Sequence, residues 1–235
     1  MSEFLCHYGI KGMKWGIRRY QNKDGSLTPE GKIHYGHIPS VSNTAEEIYN
    51  RAYAKEPRIT HDIKGSRQHL YGLEHKLKTK ESIKRKLEKE ISEENKSLAE
   101  ASENLKDALR YTTISDTNSF VKNYNNFKKY MEEKNYKEVR CKNYFQLFNE
   151  GKVKHKSVQC IFEDKDGYKF EIQFQTPESQ KAKDLKVPLY EERRKVGIDA
   201  KRATELERQM ESLALAVKDP PGIESIKSYD NIKKE

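Results

Sequence analysis

An α+β fold with a small, mixed, mostly antiparallel sheet flanked by helices is what this chain of 235 residues predicts. Three observations carry that expectation. Residues 156–163 and 168–176 each alternate apolar and polar side chains, and Asp164-Lys165-Asp166-Gly167 between them is a hairpin turn signal. From Leu73 to Glu150 there is neither Gly nor Pro, and helix-spaced apolar residues there are interrupted by two strand-like runs. Only 34% of the chain is hydrophobic while 35% is charged, so one modest core with long solvated helices is expected rather than a core using every residue.

The elements follow in order. Residues 1–40 hold six of the twelve glycines, with turn signals at Asp24-Gly25 and Thr28-Pro29, and predict a flexible N-terminal segment carrying the single tryptophan, Trp15. Residues 41–65 predict a linker with a short helix near Thr44 to Ala54, capped by Thr44. A globular unit is expected over 66–217. Within it, Ile83, Leu87, Ile91, Leu98 and Leu105 predict one or two helices between about 80 and 106. "ALRYTTI" (108–114) is rich in β-branched and aromatic residues and predicts a strand. Asp116 or Thr117 can cap a helix whose core side is Phe120, Tyr124, Phe127 and Met131. "YKEVRC" (136–141) predicts a short strand and 156–176 the hairpin. Helices are expected at 178–195 and 199–217, stopped by Asp219-Pro220-Pro221-Gly222. Residues 218–235 predict a charged tail.

The formal net charge of +9 favours polyanionic partners, without choosing among nucleotides, nucleic acid and acidic surfaces. Cys6, Cys141 and Cys160 are too few and too far apart in sequence for a disulfide framework or a zinc motif. No signal peptide and no membrane span is read, so the expected place is a reducing cytoplasm, with no membrane partner.

Three patches could carry chemistry. "KLKTKESIKRK" (76–86) crowds Lys76, Lys78, Ser82 and Lys86 at a loop-to-helix junction, where ammonium groups, a hydroxyl and free helix N–H groups suit a polyphosphate. The plainer reading is a solvated charged helix. Asp107 stands just before a strand, where a carboxylate can hold Mg2+ with help from phosphate oxygens, or simply close a turn. Glu171 and Gln173 lie mid-strand in "GYKFEIQFQTPE", on the face opposite Tyr168, Phe170, Ile172 and Phe174. That face meets bulk water or lines a site; in a site, Glu171 could be a general base or a second metal ligand. Ser157 and Gln159 share that orientation on the neighbouring strand.

The order of these patches, from about Arg67 to Thr176, resembles the synthetase domain of the RelA/SpoT-like family, which transfers pyrophosphate from ATP to a ribose hydroxyl, usually making pppGpp or ppGpp. The resemblance implies a nucleotidyltransferase-like fold. It implies ATP binding by Lys76, Lys78, Ser82 and Lys86, with Mg2+ held by Asp107 and Glu171. Lys142-Asn143-Tyr144 is similar to the family's Lys-Asp-Tyr element. Lys154 to Gln159 is similar to its Gly-Tyr-x-Ser-x-His acceptor loop, and Glu171 to Thr176 to its Glu-Ile-Gln-x-Arg-Thr strand. Glu171 then becomes the catalytic glutamate together with Asp107, and the acceptor site is implied at Tyr144, His155, Ser157, Gln159 and Gln173. The chain departs from the pattern at His155 for tyrosine, Gln159 for histidine, Gln175 for arginine and Thr112 for arginine. Residues 8–32, "YGIKGMKWGIRRYQNKDGSLTPEGK", resemble a segment at the ends of phage and prophage proteins, including minor head proteins and appended toxin domains. Together the two resemblances imply a phage-borne, ATP-dependent pyrophosphokinase acting on a nucleotide or RNA, with a toxin or effector role. They also imply docking to a head or packaging component, or a virion, through residues 1–40. The rival is a non-catalytic head-associated or nucleic-acid-binding protein that keeps the fold.

Overall fold

The computed structural model describes Thr28, residues 40–195 and residues 197–232. The segment 1–40, read from sequence as flexible and phage-like, lies outside the described residues apart from Thr28 and Ser40.

The chain runs α1 (Val41–Gly65), β1 (His69–Tyr71), α2 (Lys80–Glu93), α3 (Leu98–Asn104), β2 (Arg110–Ile114), α4 (Phe120–Glu133), β3 (Lys137–Asn143), α5 (Tyr144–Asn149), β4 (Val158–Glu163), β5 (Lys169–Gln175), α6 (Pro177–Arg193), α7 (Ala200–Leu215) and β6 (Tyr229–Asp230). Six strands form one mixed sheet in the order β1-β2-β5-β4-β3-β6. Only β2 and β5 pair in parallel; the other neighbours are antiparallel. The fold is therefore α+β with a mostly antiparallel sheet, and the hairpin β4–β5 is its centre.

The period-2 alternation of β5 sorts the two faces of the sheet. Phe170, Ile172 and Phe174 point to a dry face with Val158, Cys160 and Phe162 of β4, all buried. Helix α4 supplies the opposite wall: Phe127 meets Phe162 edge-on at 5.9 Å and Phe174 at 5.3 Å, and Tyr124 meets Phe174 at 5.1 Å between centroids. Each such ring, fully buried, contributes about 2–3 kcal/mol of transfer free energy. Cys141 and Cys160, far apart in sequence, face one another across β3 and β4 on this dry side. With Glu138 they are the one group of three potential metal ligands among the described residues. The Glu138 carboxylate there is already held by Tyr124, Tyr229 and Lys128.

Two expectations need correction. Residues 41–65 are not a linker with a short helix but one continuous helix, capped by Ser40 rather than Thr44 and running through Pro57. Ala45, Ala52, Ile59 and Ile63 recur at helical spacing and are buried. Thr60 of α1 shares a 2.7 Å hydrogen bond with the Tyr111 hydroxyl on the dry face. Pro57 and the small alanines hid this helix. The charged tail likewise packs: Ile223 and Ile226 are buried, and β6 pairs with β3. Strand β1 was missed outright, being only three residues long.

Candidate active site

The polar face of the sheet builds the site. Parallel pairing sets Arg110 of β2 beside Glu171 of β5, and Thr112 beside Gln173; antiparallel pairing sets Gln159 of β4 beside Gln173. Asp107 joins them through the segment ahead of α2. The Lys78 amide donates to the Ala108 carbonyl at 2.9 Å and the Arg110 amide to the Lys76 carbonyl at 2.8 Å. Lys78 thereby lies against Asp107. Thr79 caps α2, and along that helix Ser82, Arg85, Lys86 and Lys89 recur at i, i+3, i+4 and i+7 on the face beside the buried Ile83–Leu87 stripe.

Asp107 is clamped. Lys78 Nζ donates to its Oδ2 and Lys86 Nζ to its Oδ1, each at 2.7 Å. Burial raises its carboxyl pKa, but the two ammonium groups outweigh that and hold it at about 2. Glu171 behaves oppositely. Burial and the facing Asp107 carboxylate push its carboxyl up, against the smaller pull of Arg110, Gln173 and Lys86. Two carboxylates 64 positions apart in the chain thus sense each other on the polar side of the sheet. Glu171 Oε1 accepts from Gln173 Nε2 at 2.5 Å, and Gln173 Oε1 accepts from Lys183 Nζ at 2.7 Å.

Two cavities are reached through the neighbours of Glu171, which itself lines neither: Arg110, its partner on β2, lines the larger, and Gln159 and Lys183, the partners of Gln173, line the smaller. The larger, of about 900 Å³, is lined by Lys78, Ser82, Arg85, Lys86 and Lys89, by Arg110 of β2 and by Tyr190, Arg193 and Arg194 of α6, with Glu74, Glu90, Glu93 and Glu94 also in its wall, so that basic groups outnumber acidic ones. The smaller, of about 230 Å³, is lined by His155, Gln159 and Gln175 and roofed by Lys183 and Lys186 of α6 with Ala214 and Val217. Thr176 ends β5 and caps α6, accepting from the Ser179 amide at 3.1 Å, which folds α6 back over the polar face. His155 stacks obliquely on Tyr144 with 4.3 Å between centroids. Its imidazole is pushed down, by packing first and then by Lys186 and Lys183.

Of the sequence-predicted residues, Lys78, Ser82 and Lys86 line the large cavity and His155 and Gln159 the small one; Asp107, Glu171, Gln173 and Tyr144 line neither, but are joined to these by hydrogen bonds, strand pairing or stacking. Lys76 is not; it turns to Glu56 of α1 at 3.4 Å and lines neither cavity. Ser157 is wholly buried against Gln159 and also lines neither. Sequence reasoning missed Arg110, Arg193, Arg194, Lys183 and Lys186. The signal was there in part: Ser179, Ala182, Lys183 and Lys186 share one face at helical spacing.

Residues 1–22 match a protein family described as a family of unknown function (DUF7211). No curated protein matches the chain. Among solved structures, the small alarmone synthetase 2 from Bacillus subtilis overlaps at 18% identity and TM-score 0.47, covering 72% of this chain and 90% of that one. The small alarmone synthetase 1 from the same organism, bound to its product pppGpp, overlaps at 15% identity and TM-score 0.44, covering 78% and 92%. A GTP pyrophosphokinase family protein from Streptococcus pneumoniae overlaps at 13% identity and TM-score 0.44, covering 80% and 89%. With each of these scores below 0.5, function has to be read from the side chains of the site itself.

Proposed function

We propose that this chain is an ATP-dependent pyrophosphokinase: it moves the β,γ-diphosphate of ATP onto a ribose 3′-hydroxyl. One observation carries the reading. Glu171, whose pKa burial and Asp107 raise, pairs in the sheet with Arg110 of the large cavity and is joined through Gln173 to Lys183 of the small one, as suits a base between donor and acceptor.

The large cavity has the volume of a small-molecule site and the chemistry of a polyphosphate site. Arg85 and Arg110 offer planar forks to phosphate oxygens, while Lys78 and Lys86, held by Asp107, and Arg193 and Arg194, held by Glu207 and Glu191, add cationic wall around them. Glu171 accepts the proton of the attacking hydroxyl. A raised carboxylate pKa makes that transfer more favourable near neutrality. Gln173, itself held by Lys183, fixes the Glu171 carboxylate in place. Asp107 and Glu171 suit a Mg2+ ion: the two carboxylates repel one another, and a carboxylate keeps acceptor sites beyond the ones its lysines use. Bound there with ATP, Mg2+ would neutralise charge on the transferring phosphate oxygens. The N-terminal segment as a docking element for a phage head or packaging component rests on its sequence resemblance alone.

The test is an acceptor panel with ATP and Mg2+. The panel contains guanine and adenine nucleotides and tRNA. Because His155 offers a smaller stacking ring than tyrosine, product is expected on at least one acceptor with little guanine preference. Strict use of GDP or GTP contradicts the acceptor reading; no diphosphorylated product on any acceptor contradicts the activity.

A further inference from the structure

We infer that Glu138, Cys141 and Cys160 form a zinc site on the dry side of the sheet, apart from the carboxylates of the candidate active site. The inference does not rest on the transfer reaction proposed above. No spacing in the sequence announces the site, because its two cysteines meet only through strand pairing.

A carboxylate on that side is the anomaly. Glu138 is only 5% exposed, and a charge buried so far is costly unless other groups hold it. A β-bulge puts it there. In a regular strand, residues three apart point to opposite faces, so Glu138 and Cys141 would be separated. The register of β3 on β4 shifts between Glu138 and Arg140, which sets Glu138 opposite Phe162 and Cys141 opposite Cys160. Phe162 and Cys160 belong to the dry face, so their partners on β3 point there too. Both cysteines are wholly buried, and ligand atoms of the three residues all lie within 4.8 Å of one another.

Chemistry and charge both suit Zn2+. Two thiols with one carboxylate are a borderline-soft set for a four-coordinate ion. Oxygens for the fourth position are at hand. The Tyr124 hydroxyl donates to Glu138 at 2.9 Å and lies 3.6 Å from Cys141 Sγ, and the Tyr229 hydroxyl donates to Glu138 Oε1 at 2.5 Å. Glu138 keeps room for the ion: Oε1 takes the bonds from Tyr229 and Lys128, while Oε2 accepts from Tyr124 at 3.1 Å and keeps a lone pair. Zn2+ displaces the two thiol protons. Two thiolates and a carboxylate then face the ion and the Lys128 ammonium, which donates to Glu138 at 3.1 Å, and the cluster is neutral. Without the ion, burial first and then Cys141 push the Cys160 thiol up. Direct coordination of the thiolate removes that cost. The ligands come from β3 and β4 and the supporting hydroxyls from α4 and β6, so the ion fastens the C-terminal residues to the sheet.

The experiment refolds the full chain under reducing conditions with Zn2+, or with Co2+ as its spectroscopic stand-in, and then removes unbound metal. Wild type should retain one ion per chain. X-ray absorption should show two sulfur ligands at about 2.3 Å with oxygen at about 2.0–2.2 Å, and Co2+ should give thiolate charge-transfer absorption. Cys141→Ser with Cys160→Ser should lose the sulfur ligands and the absorption. Cys6→Ser, and separately Asp107→Asn with Glu171→Gln, should leave both unchanged. An ion bound by oxygen alone in wild type, sulfur ligation that survives the double serine variant, or loss that follows Cys6→Ser or the Asp107 and Glu171 pair overturns the inference. Should the double serine variant fail to fold, Cys6→Ser decides: that chain holds no cysteine besides Cys141 and Cys160, so two sulfurs around its ion support the site and none overturns it. Stripping the ion from wild type should lower the melting midpoint, and an unmoved midpoint overturns the claim that the ion fastens the fold.

Discussion

Asp107 and Glu171 are carboxylates near enough to repel one another, yet their surroundings push their pKa values in opposite directions. Asp107 neutralises Lys78 and Lys86, so Asp107→Asn leaves two ammonium groups uncompensated and should lower stability by about 1–3 kcal/mol at neutral pH. Because its folded pKa is about 2 against an ordinary 3.8, that contribution is complete above the ordinary value and is lost as pH falls towards about 2. The gap between wild type and Asp107→Asn should therefore close in acid. Glu171 carries the opposite sign. Its folded pKa is raised, so its charged form is disfavoured as pH climbs above the ordinary carboxylate range. Glu171→Gln should melt at or above wild type near neutral pH. Thermal melts of both variants across acid to neutral pH check this, and a destabilised Glu171→Gln would show that its charge supports the fold. The sequence named both residues because their types and order were distinctive. That Asp107 would be structurally clamped was not legible, since the clamp depends on the Leu77–Leu109 bridge bringing residues 76–78 alongside 108–110.

At the scale of elements, Asn143 shows how a packed terminus constrains a motif. Its side chain is wholly buried at the end of β3. Its Nδ2 donates to the carbonyls of Ile223 at 2.8 Å and Ile226 at 2.9 Å, and its Oδ1 accepts from the Gln146 amide to cap α5. The similar family element has aspartate at this position. A carboxylate here would set negative charge against two carbonyl oxygens, so Asn143→Asp should cost about 2–4 kcal/mol, read from denaturant melts. An unchanged midpoint would mean that residues 223–226 do not dock on β3 in solution. The sequence reading of a charged tail failed here because two isoleucines among lysines and glutamates show no periodicity. It failed at α1 for a related reason: Ala45 and Ala52 are too small to mark a stripe, and Pro57 argues for a break. The hairpin and α4 were legible because large apolar residues recur there with unbroken periods of 2 and 3.6.

For the whole molecule, the excess of positive charge is not spread evenly in its consequences. Many lysines pair locally, such as Lys55 with Asp164 and Lys80 with Glu46. Arg193 and Arg194 pair likewise, with Glu207 and Glu191, which leaves Arg85 and Arg110 facing the large cavity and Lys183 and Lys186 facing the small one. The sequence singled out Lys78, Ser82 and Lys86 through their basic cluster. It missed Lys183 and Lys186, because these come from α6, beyond the stretch that carries the family resemblance. The account's central claim is that Glu171 moves the proton that lets a diphosphate pass between these two cavities. Its most direct test is a single-turnover reaction of wild type and Glu171→Gln with Mg2+ and ATP labelled separately at each phosphate, against the acceptor that the panel identifies. The account predicts that the β- and γ-labels arrive together on the acceptor while AMP is released one for one, and that Glu171→Gln lowers this rate by about 10²–10⁴-fold with ATP binding intact. Turnover in Glu171→Gln within a few-fold of wild type, or labels that part as ADP and phosphate, would contradict it.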